Sequence, residues 1–271
     1  MYALNRENGA QLWSVRLPQA PSAAPAADEQ RVVVSTLDGR LYVYSVETHD
    51  VIWYYQTDAK ISMPAVLHDD KIACASQDGM LYIFATSNRK PVYEYQTKAP
   101  ISAPIAAWGR LILLPSEDYN LYAVDIRAGG TQWQHTFGIE IRRPISVIEN
   151  QVYISPEDGE FYVLNPEDGK VLWRYPRAQQ FVAASTDRVY AADKYGRVVI
   201  LQRSNGRPLG LWDTHNFDYR ATNESNDRLY LTTRKGLVVC CHEKEHKEPV
   251  IHKKVPPPPA PGAPAAGLAK P

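Results

Sequence analysis

LYVYSVETHDVIW at residues 41–53 and FYVLNPEDGKVLW at residues 161–173 share one pattern. Each is a strand of alternating side chains, a polar turn, and a second strand that ends on tryptophan. The pattern recurs without a gap as MYALNRENGAQLW (1–13), LYIFATSNRKPVY (81–93) and LYAVDIRAGGTQW (121–133), so five copies start forty residues apart. A sixth begins at Val198 after a unit three residues shorter, and a seventh begins at Val238 and soon loses the pattern. Self-similarity at such a period marks stacked supersecondary units, each burying a face its neighbour supplies.

The recurring columns have physical reasons. Tyr2, Tyr42, Tyr82, Tyr122 and Tyr162 hold one phase of the first strand. Gly9, Gly129, Gly169 and Gly206 share a turn phase, where a tight hairpin needs a positive φ angle. Trp13, Trp53, Trp133 and Trp173 lie four residues further on, with Tyr93 in the third copy. Asp38-Gly39, Asp78-Gly79 and Asp158-Gly159 mark a second hairpin turn, and Pro64, Pro104 and Pro144 recur beside an Ile-Ser-x-Pro or similar strand. One unit therefore predicts four short antiparallel strands, for example over 61–67, 71–76, 80–86 and 91–97.

Four-stranded sheets repeated at this period arrange radially as blades, so the expected fold is an all-β propeller of four-stranded antiparallel blades. Blades are expected from near Pro21, Lys60, Pro100, Ile141, Ala178 and Phe217, about six complete ones. Residues 1–17 then form an extra outer hairpin with no inner strands ahead of it. The expected parent is a seven- or eight-bladed propeller of which this chain lacks the N-terminal part. The alternative is strand-exchange closure, in which the hairpin completes the last blade and residues 238–254 are displaced.

The pattern A-x-[DN]-x-x-x-G-x-x-x-W resembles the repeat of pyrroloquinoline-quinone (PQQ)-like, or quinoprotein-type, propellers. Ala3, Asn5, Gly9 and Trp13 fit it, as do Asn165, Gly169 and Trp173, and Asp125, Gly129 and Trp133. The resemblance covers about residues 1–250 and implies that each tryptophan packs against the neighbouring blade's turn. Trp13, Trp53, Trp133 and Trp173, with Gly9, Gly129, Gly169 and Gly206, are thus expected to dock blades. Departures are Arg89 for the glycine, Tyr93 for the tryptophan, Asp118-Tyr119 for an Asp-Gly pair, and Gly210 at the tryptophan phase.

Within that family the chain is similar in type to the propeller lipoproteins of the outer-membrane β-barrel assembly machinery, although their lipid-attached cysteine has no counterpart here. The resemblance implies a non-catalytic role: a monomeric protein-interaction scaffold without cofactor that binds protein partners through one propeller face, in the periplasm or cell envelope. Two other functions are weighed, a quinoprotein dehydrogenase or fragment holding PQQ and calcium, and the sensing propeller of a larger protein.

Composition narrows the partners. Lys+Arg and Asp+Glu are both 30, so the formal net charge is zero and gives no case for nucleic acid or an acidic membrane surface. No stretch approaches the roughly 20 apolar residues that span a bilayer. The opening MYALNRENG lacks the basic and apolar segments of an export signal. Three cysteines form no disulfide framework. After residue 254 the sequence VPPPPAPGAPAAGLAKP is expected to be a polyproline-like or disordered tail, which sets the domains at 1–254 and 255–271.

Propellers bind ligands on the face formed by loops that lead into the innermost strand and loops that join the second strand to the third. On that face the candidate binding residues are Arg142, Arg143, Arg177, Arg220, Tyr119, Lys194 and Tyr195. Arg142-Arg143 breaks the Ile-Ser-x-Pro pattern, and a change from repeat to charge is the most individual feature of the chain. Cys240-Cys241 resembles the vicinal pair of PQQ-dependent alcohol dehydrogenases. Neighbouring strand residues point to opposite faces, however, so a structural or free-thiol role is expected. His242 and His246 sit in HEKEHKEPV, whose alternating charges read as a solvated turn rather than a metal site. No Gly-rich phosphate loop, H-E-x-x-H or G-x-S-x-G motif is present, and no catalytic residue is assigned.

Overall fold

The computed structural model describes residues 1–252, so the tail expected at 255–271 lies outside the described residues. An N-terminal hairpin of β1 (Tyr2–Leu4) and β2 (Gln11–Ser14) precedes five four-stranded antiparallel sheets. Blade 1 holds β3 (Ala26–Ala27), β4 (Arg31–Ser35), β5 (Arg40–Ser45) and β6 (Val51–Gln56). Blade 2 holds β7 (Val66–His68), β8 (Lys71–Ala75), β9 (Met80–Ala85) and β10 (Pro91–Gln96). Blade 3 holds β11 (Ala106–Trp108), β12 (Leu111–Pro115), β13 (Asn120–Asp125) and β14 (Thr131–Thr136). Blade 4 holds β15 (Ser146–Ile148), β16 (Gln151–Ile154), β17 (Glu160–Leu164) and β18 (Val171–Pro176). Blade 5 holds β19 (Gln180–Ala184), β20 (Arg188–Ala192), β21 (Val198–Gln202) and β22 (Pro208–Trp212). Blade 6 has β23 (Tyr219–Ala221), β24 (Leu229–Thr232) and β25 (Val238–Cys241).

The architecture is that of a propeller, with blades starting where the repeat places them, but with two differences from the sequence reading. Five blades, not six, are four-stranded among the described residues. The sixth stops at three because HEKEHKEP, after β25, has neither the alternating apolar residues of an outer strand nor, at Pro249, a donor for the ladder. The innermost strands are also shorter than expected: β7 spans three residues instead of the seven at 61–67. Pro64 has no N–H to give, and Ile61 is instead an apolar anchor, fully buried between blades.

The core lies between sheets rather than within any one. Val33, Leu41, Val43 and Trp53 of blade 1 pack with Ile61, Ile72, Cys74 and Phe84 of blade 2 in one buried cluster. Middle strands are covered on both faces, which is why Lys71–Ala75 reads as a nearly continuous apolar run. The hairpin β1–β2 follows the same rule, packing Met1, Trp13, Val15 and Leu17 against Val32, Val34, Tyr42 and Tyr44 of blade 1. β25 keeps its place as the third strand of blade 6, and β1–β2 is a separate two-stranded sheet. The strand-exchange closure weighed above is therefore not the arrangement observed.

Blades contact one another through a repeated contact. The indole Nε1–H of Trp53 donates to the Thr86 carbonyl at 3.0 Å, that of Trp133 to Pro166 at 2.9 Å, and that of Trp173 to Arg203 at 2.9 Å. Each acceptor lies in the turn of the next blade. The rings lie so close to that turn that a Cβ added to Gly169 would meet Trp133 at 2.5 Å, and one added to Gly206 would meet Trp173 at 2.4 Å. Trp13 stacks on His49, which holds the glycine phase with a φ of 64°, at 4.8 Å between ring centroids. Gly9, by contrast, has nothing within 4 Å of an added Cβ. Among the described residues no helix is long and apolar enough to cross a membrane.

Candidate functional site

The loops leading into each innermost strand and the turns between second and third strands gather on one face. In blades 1 and 2 this face is closed by a repeated polar lock. The Thr57 hydroxyl lies 2.6 Å from both the Gly39 and the Ala59 carbonyl, so its one proton is shared between the two acceptors. Thr97 repeats the contact with Gly79 and Ala99 at 2.8 and 2.7 Å. Blade 3 abandons the lock. Phe137 replaces the threonine, and Tyr119 replaces the glycine with a φ of 74°. The charged part of the face begins there.

Arg142 leads into blade 4 and reaches back to blade 3, where its Nε and Nη2 donate to the two oxygens of Glu117 at 3.2 and 3.3 Å. Its Nη2 also lies 3.0 Å from Glu140. The Ser102 hydroxyl donates to the same Glu117, and this bond together with Arg142 holds the carboxyl below its ordinary range. Arg143 points the other way: its Nη1 donates to the Gln179 carbonyl of the blade 5 loop at 3.2 Å and its Nε lies 3.4 Å from Glu157. The adjacent arginines thus bridge three successive blades.

Beside Arg143 is a cavity of about 350 Å³ between blades 4, 5 and 6. Tyr153, Phe161 and Phe181 line it with aromatic surface, Ser146, Ser155, Gln179 and Gln180 add polar atoms, and Arg143 and Arg220 contribute cationic groups. Tyr153 and Phe181 rings lie 4.7 Å apart between centroids. Arg220 rises from β23 and pins the loops, with Nη2 donating to the Thr214 and Phe217 carbonyls at 2.6 and 3.0 Å and also to Gly196. Burial lowers its affinity for a proton relative to a free guanidinium.

The structure brings Arg143 and Arg220 to one cavity and leaves Arg142 beside it in an ion-pair network. Arg177 lines a neighbouring depression with Asp193 and Arg197. Tyr195 is 63% exposed, with the Lys194 ammonium 5.1 Å and the Arg197 guanidinium 5.0 Å from its ring centre. Tyr119 is exposed on blade 3, away from the cavity, and its carbonyl accepts from the Phe137 amide. Sequence reasoning did not single out Glu117 and Glu157 or the aromatic floor. The glutamates had a readable signal, for they occupy the column of Leu37 and Gln77 and turn acidic in the blade just before Ser62 and Ser102 give way to Arg142 and in the blade that carries it. Tyr153, Phe161 and Phe181 had none, because nothing marks them from other strand aromatics.

Cys240 and Cys241 are both free thiols, one exposed and one half-buried on opposite faces of β25. His242 Nδ1 lies 2.8 Å from the Glu243 carbonyl, while His246 turns toward Asp227, and among the described residues no group of three or more His, Cys, Asp or Glu side chains is placed to hold a metal ion. The face is thus one of paired charges beside an aromatic hollow, chemistry suited to recognition.

A family model described as outer membrane protein assembly factor BamB matches residues 1–63 and 57–248. No curated protein matches the sequence. Among solved structures, BamB from Moraxella catarrhalis is similar with a TM-score of 0.68 at 15% identity, over 87% of this chain and 81% of that one. The computationally designed Ika8 protein is similar with a TM-score of 0.71 at 17% identity, over 86% of this chain and 74% of that one. At such identities the structural likeness speaks for the fold alone, whereas the family match follows the repeat itself across the blades. The chain belongs to the outer membrane protein assembly factor BamB family of PQQ-like repeat propellers.

Proposed function

We propose that this chain is a non-catalytic docking propeller of the bacterial envelope, working in the periplasm and binding a protein partner of outer-membrane assembly through the face around Arg142 and Arg143. The observation that carries the reading is the break in the repeat. Blades 1 and 2 close this face with one threonine lock, which blade 5 repeats between Thr214 and the Gly196 carbonyl at 2.7 Å, while blades 3 and 4 replace the threonine with Phe137 and Arg177 where the paired arginines stand beside an aromatic hollow. Family membership supports the assembly role, and the ion pairs support a protein partner. Exposed charges at a rim steer and align a partner, while an aromatic-lined hollow supplies desolvated contact.

The test is retention of outer-membrane assembly components, from detergent-solubilised bacterial envelopes, on the immobilised protein. Arg142→Ala/Arg143→Ala is expected to weaken retention roughly ten-fold, whereas Lys170→Ala on the opposite face leaves it unchanged. Equal retention by the double variant removes the proposed face. Failure of the unaltered protein to retain any assembly component removes the assembly role. Reduction of an artificial electron acceptor after loading with PQQ and calcium, with an alcohol or sugar supplied, overturns the non-catalytic part.

A further inference from the structure

We propose that residues 243–252 form a latch that ties blade 6 to blade 5 and covers a cavity against the innermost strands, on the side away from the arginine face. In blades 1 to 5 the chain turns after the third strand and adds a fourth. After β25 it instead runs inward across the connection between β23 and β24.

Its bonds form a continuous series. The Glu243 carboxylate accepts from the Tyr190 hydroxyl of blade 5 at 2.8 Å and from Arg188. Arg228, only 5% exposed, donates to the His246 and Lys247 carbonyls at 2.8 and 2.6 Å. Asp227, whose side chain is wholly buried, accepts from the Val250 amide at 3.0 Å and faces His246 Nδ1 at 3.3 Å. Asn226 forms an antiparallel bridge with Ile251, and the His252 amide donates to the Ser225 carbonyl at 3.0 Å.

An ordinary surface connection does not commit a buried Asp and a buried Arg to holding its backbone. Charged groups of this kind are costly to bury unless their bonds are made, so their satisfaction depends on the latch being in place. The segment ends at a cavity of about 680 Å³. Ile251 and His252 form part of its wall, opposite Val66, Ala106, Trp108 and Val147 of the innermost strands. The same segment that bonds the buried Asp227 and Arg228 of the β23–β24 connection therefore controls how much of that cavity is open. Release of the latch is a local event, because blades 2 to 5 keep their four strands and their tryptophan contacts without it.

The experiment places a single reporter thiol, Val147→Cys, in a Cys240→Ser/Cys241→Ser background and follows its reaction with a small thiol reagent in the full chain. Cys74 is the internal control: it is buried, and burial pushes its thiol up to about 12, so it stays silent while the core holds. Arg228→Met is expected to raise amide exchange at 246–252 and the rate of Val147→Cys modification by roughly ten-fold each, with Cys74 silent. If Cys74 reacts, the substitution has opened the core, and Glu243→Gln, at the outer end of the latch, carries the same comparison. Unchanged exchange at 246–252 in the variant that keeps Cys74 silent overturns the latch. Faster exchange there without faster modification of Val147→Cys overturns the cover.

Discussion

Gly206 and Gly9 occupy the same column of the repeat with nearly the same φ, 71° and 72°, yet they face different surroundings. At Gly206 the Trp173 ring fills the space a Cβ needs; at Gly9 that space is open. Alanine at Gly9 therefore meets only the left-handed backbone penalty of about 1 kcal/mol. Alanine at Gly206 adds overpacking, for about 2–4 kcal/mol in all. Urea midpoints of the two variants are expected to separate accordingly, and equal shifts would show that the ring does not press on the turn. Glu117 makes a second residue-scale prediction. Its carboxyl is held below the ordinary value of 4.5 by Ser102 and then by Arg142, so its contribution is fully present above that value and is lost as the pH falls through the lowered one. The stability difference between the unaltered protein and Glu117→Gln should be flat above 4.5 and shrink as the pH falls below it through the lowered value.

Two ladders at the scale of the strand hold one blade to the next. The outer ladder is the tryptophan bond, made possible by a bulge in the β5–β6, β13–β14 and β17–β18 pairs immediately after the residue opposite each tryptophan. The extra residue bends the outer strand and turns the indole toward the following blade. The inner ladder is less obvious: His68 Nε2 meets the Gly109 carbonyl, and forty residues on the Trp108 indole donates to the Glu149 carbonyl at 2.8 Å. Trp173→Phe keeps most of the ring and removes the bond to Arg203. It should cost about 1–2 kcal/mol in urea unfolding, the range for a part-buried hydrogen bond whose acceptor is left unpaired. No change would mean that ring packing alone docks the blades.

At the scale of the molecule, each blade touches only its neighbours, so stability is a sum of blades and interfaces. Interior blades have two interfaces; the hairpin and blade 6 have one each among the described residues. Exposure follows: Tyr82 of blade 2 is 3% exposed, while Val238 of blade 6 is 64% exposed. Hydrogen exchange is therefore expected to be fastest at β1–β2 and β23–β25 and slowest in blades 2 to 5, by roughly ten-fold or more. Uniform protection from end to end would instead mean one cooperative unit. Binding through the arginine face should also weaken as salt rises, since partly exposed charges are screened within about 10 Å at 0.1 M salt, and a flat salt response would place recognition in the aromatic hollow alone.

The repeat by itself determined the class of fold, the blade boundaries and the columns of turn glycine and docking tryptophan. Those are periodic demands that every unit must meet with its own local residues. It also pointed to Arg142 and Arg143, because a break in a period stands out. Tertiary structure alone decided what those arginines do, since Glu117 lies 25 positions from Arg142 and in the preceding blade. It likewise decided that Arg143 and Arg220 meet at one cavity while Arg177 and Tyr119 do not. The third-strand end of blade 6 and the inward course of residues 243–252 were beyond the repeat for the same reason. A decayed copy no longer states where its backbone bonds go, and the buried Asp227 and Arg228, packed against a segment about twenty residues away, are among the groups that supply the answer.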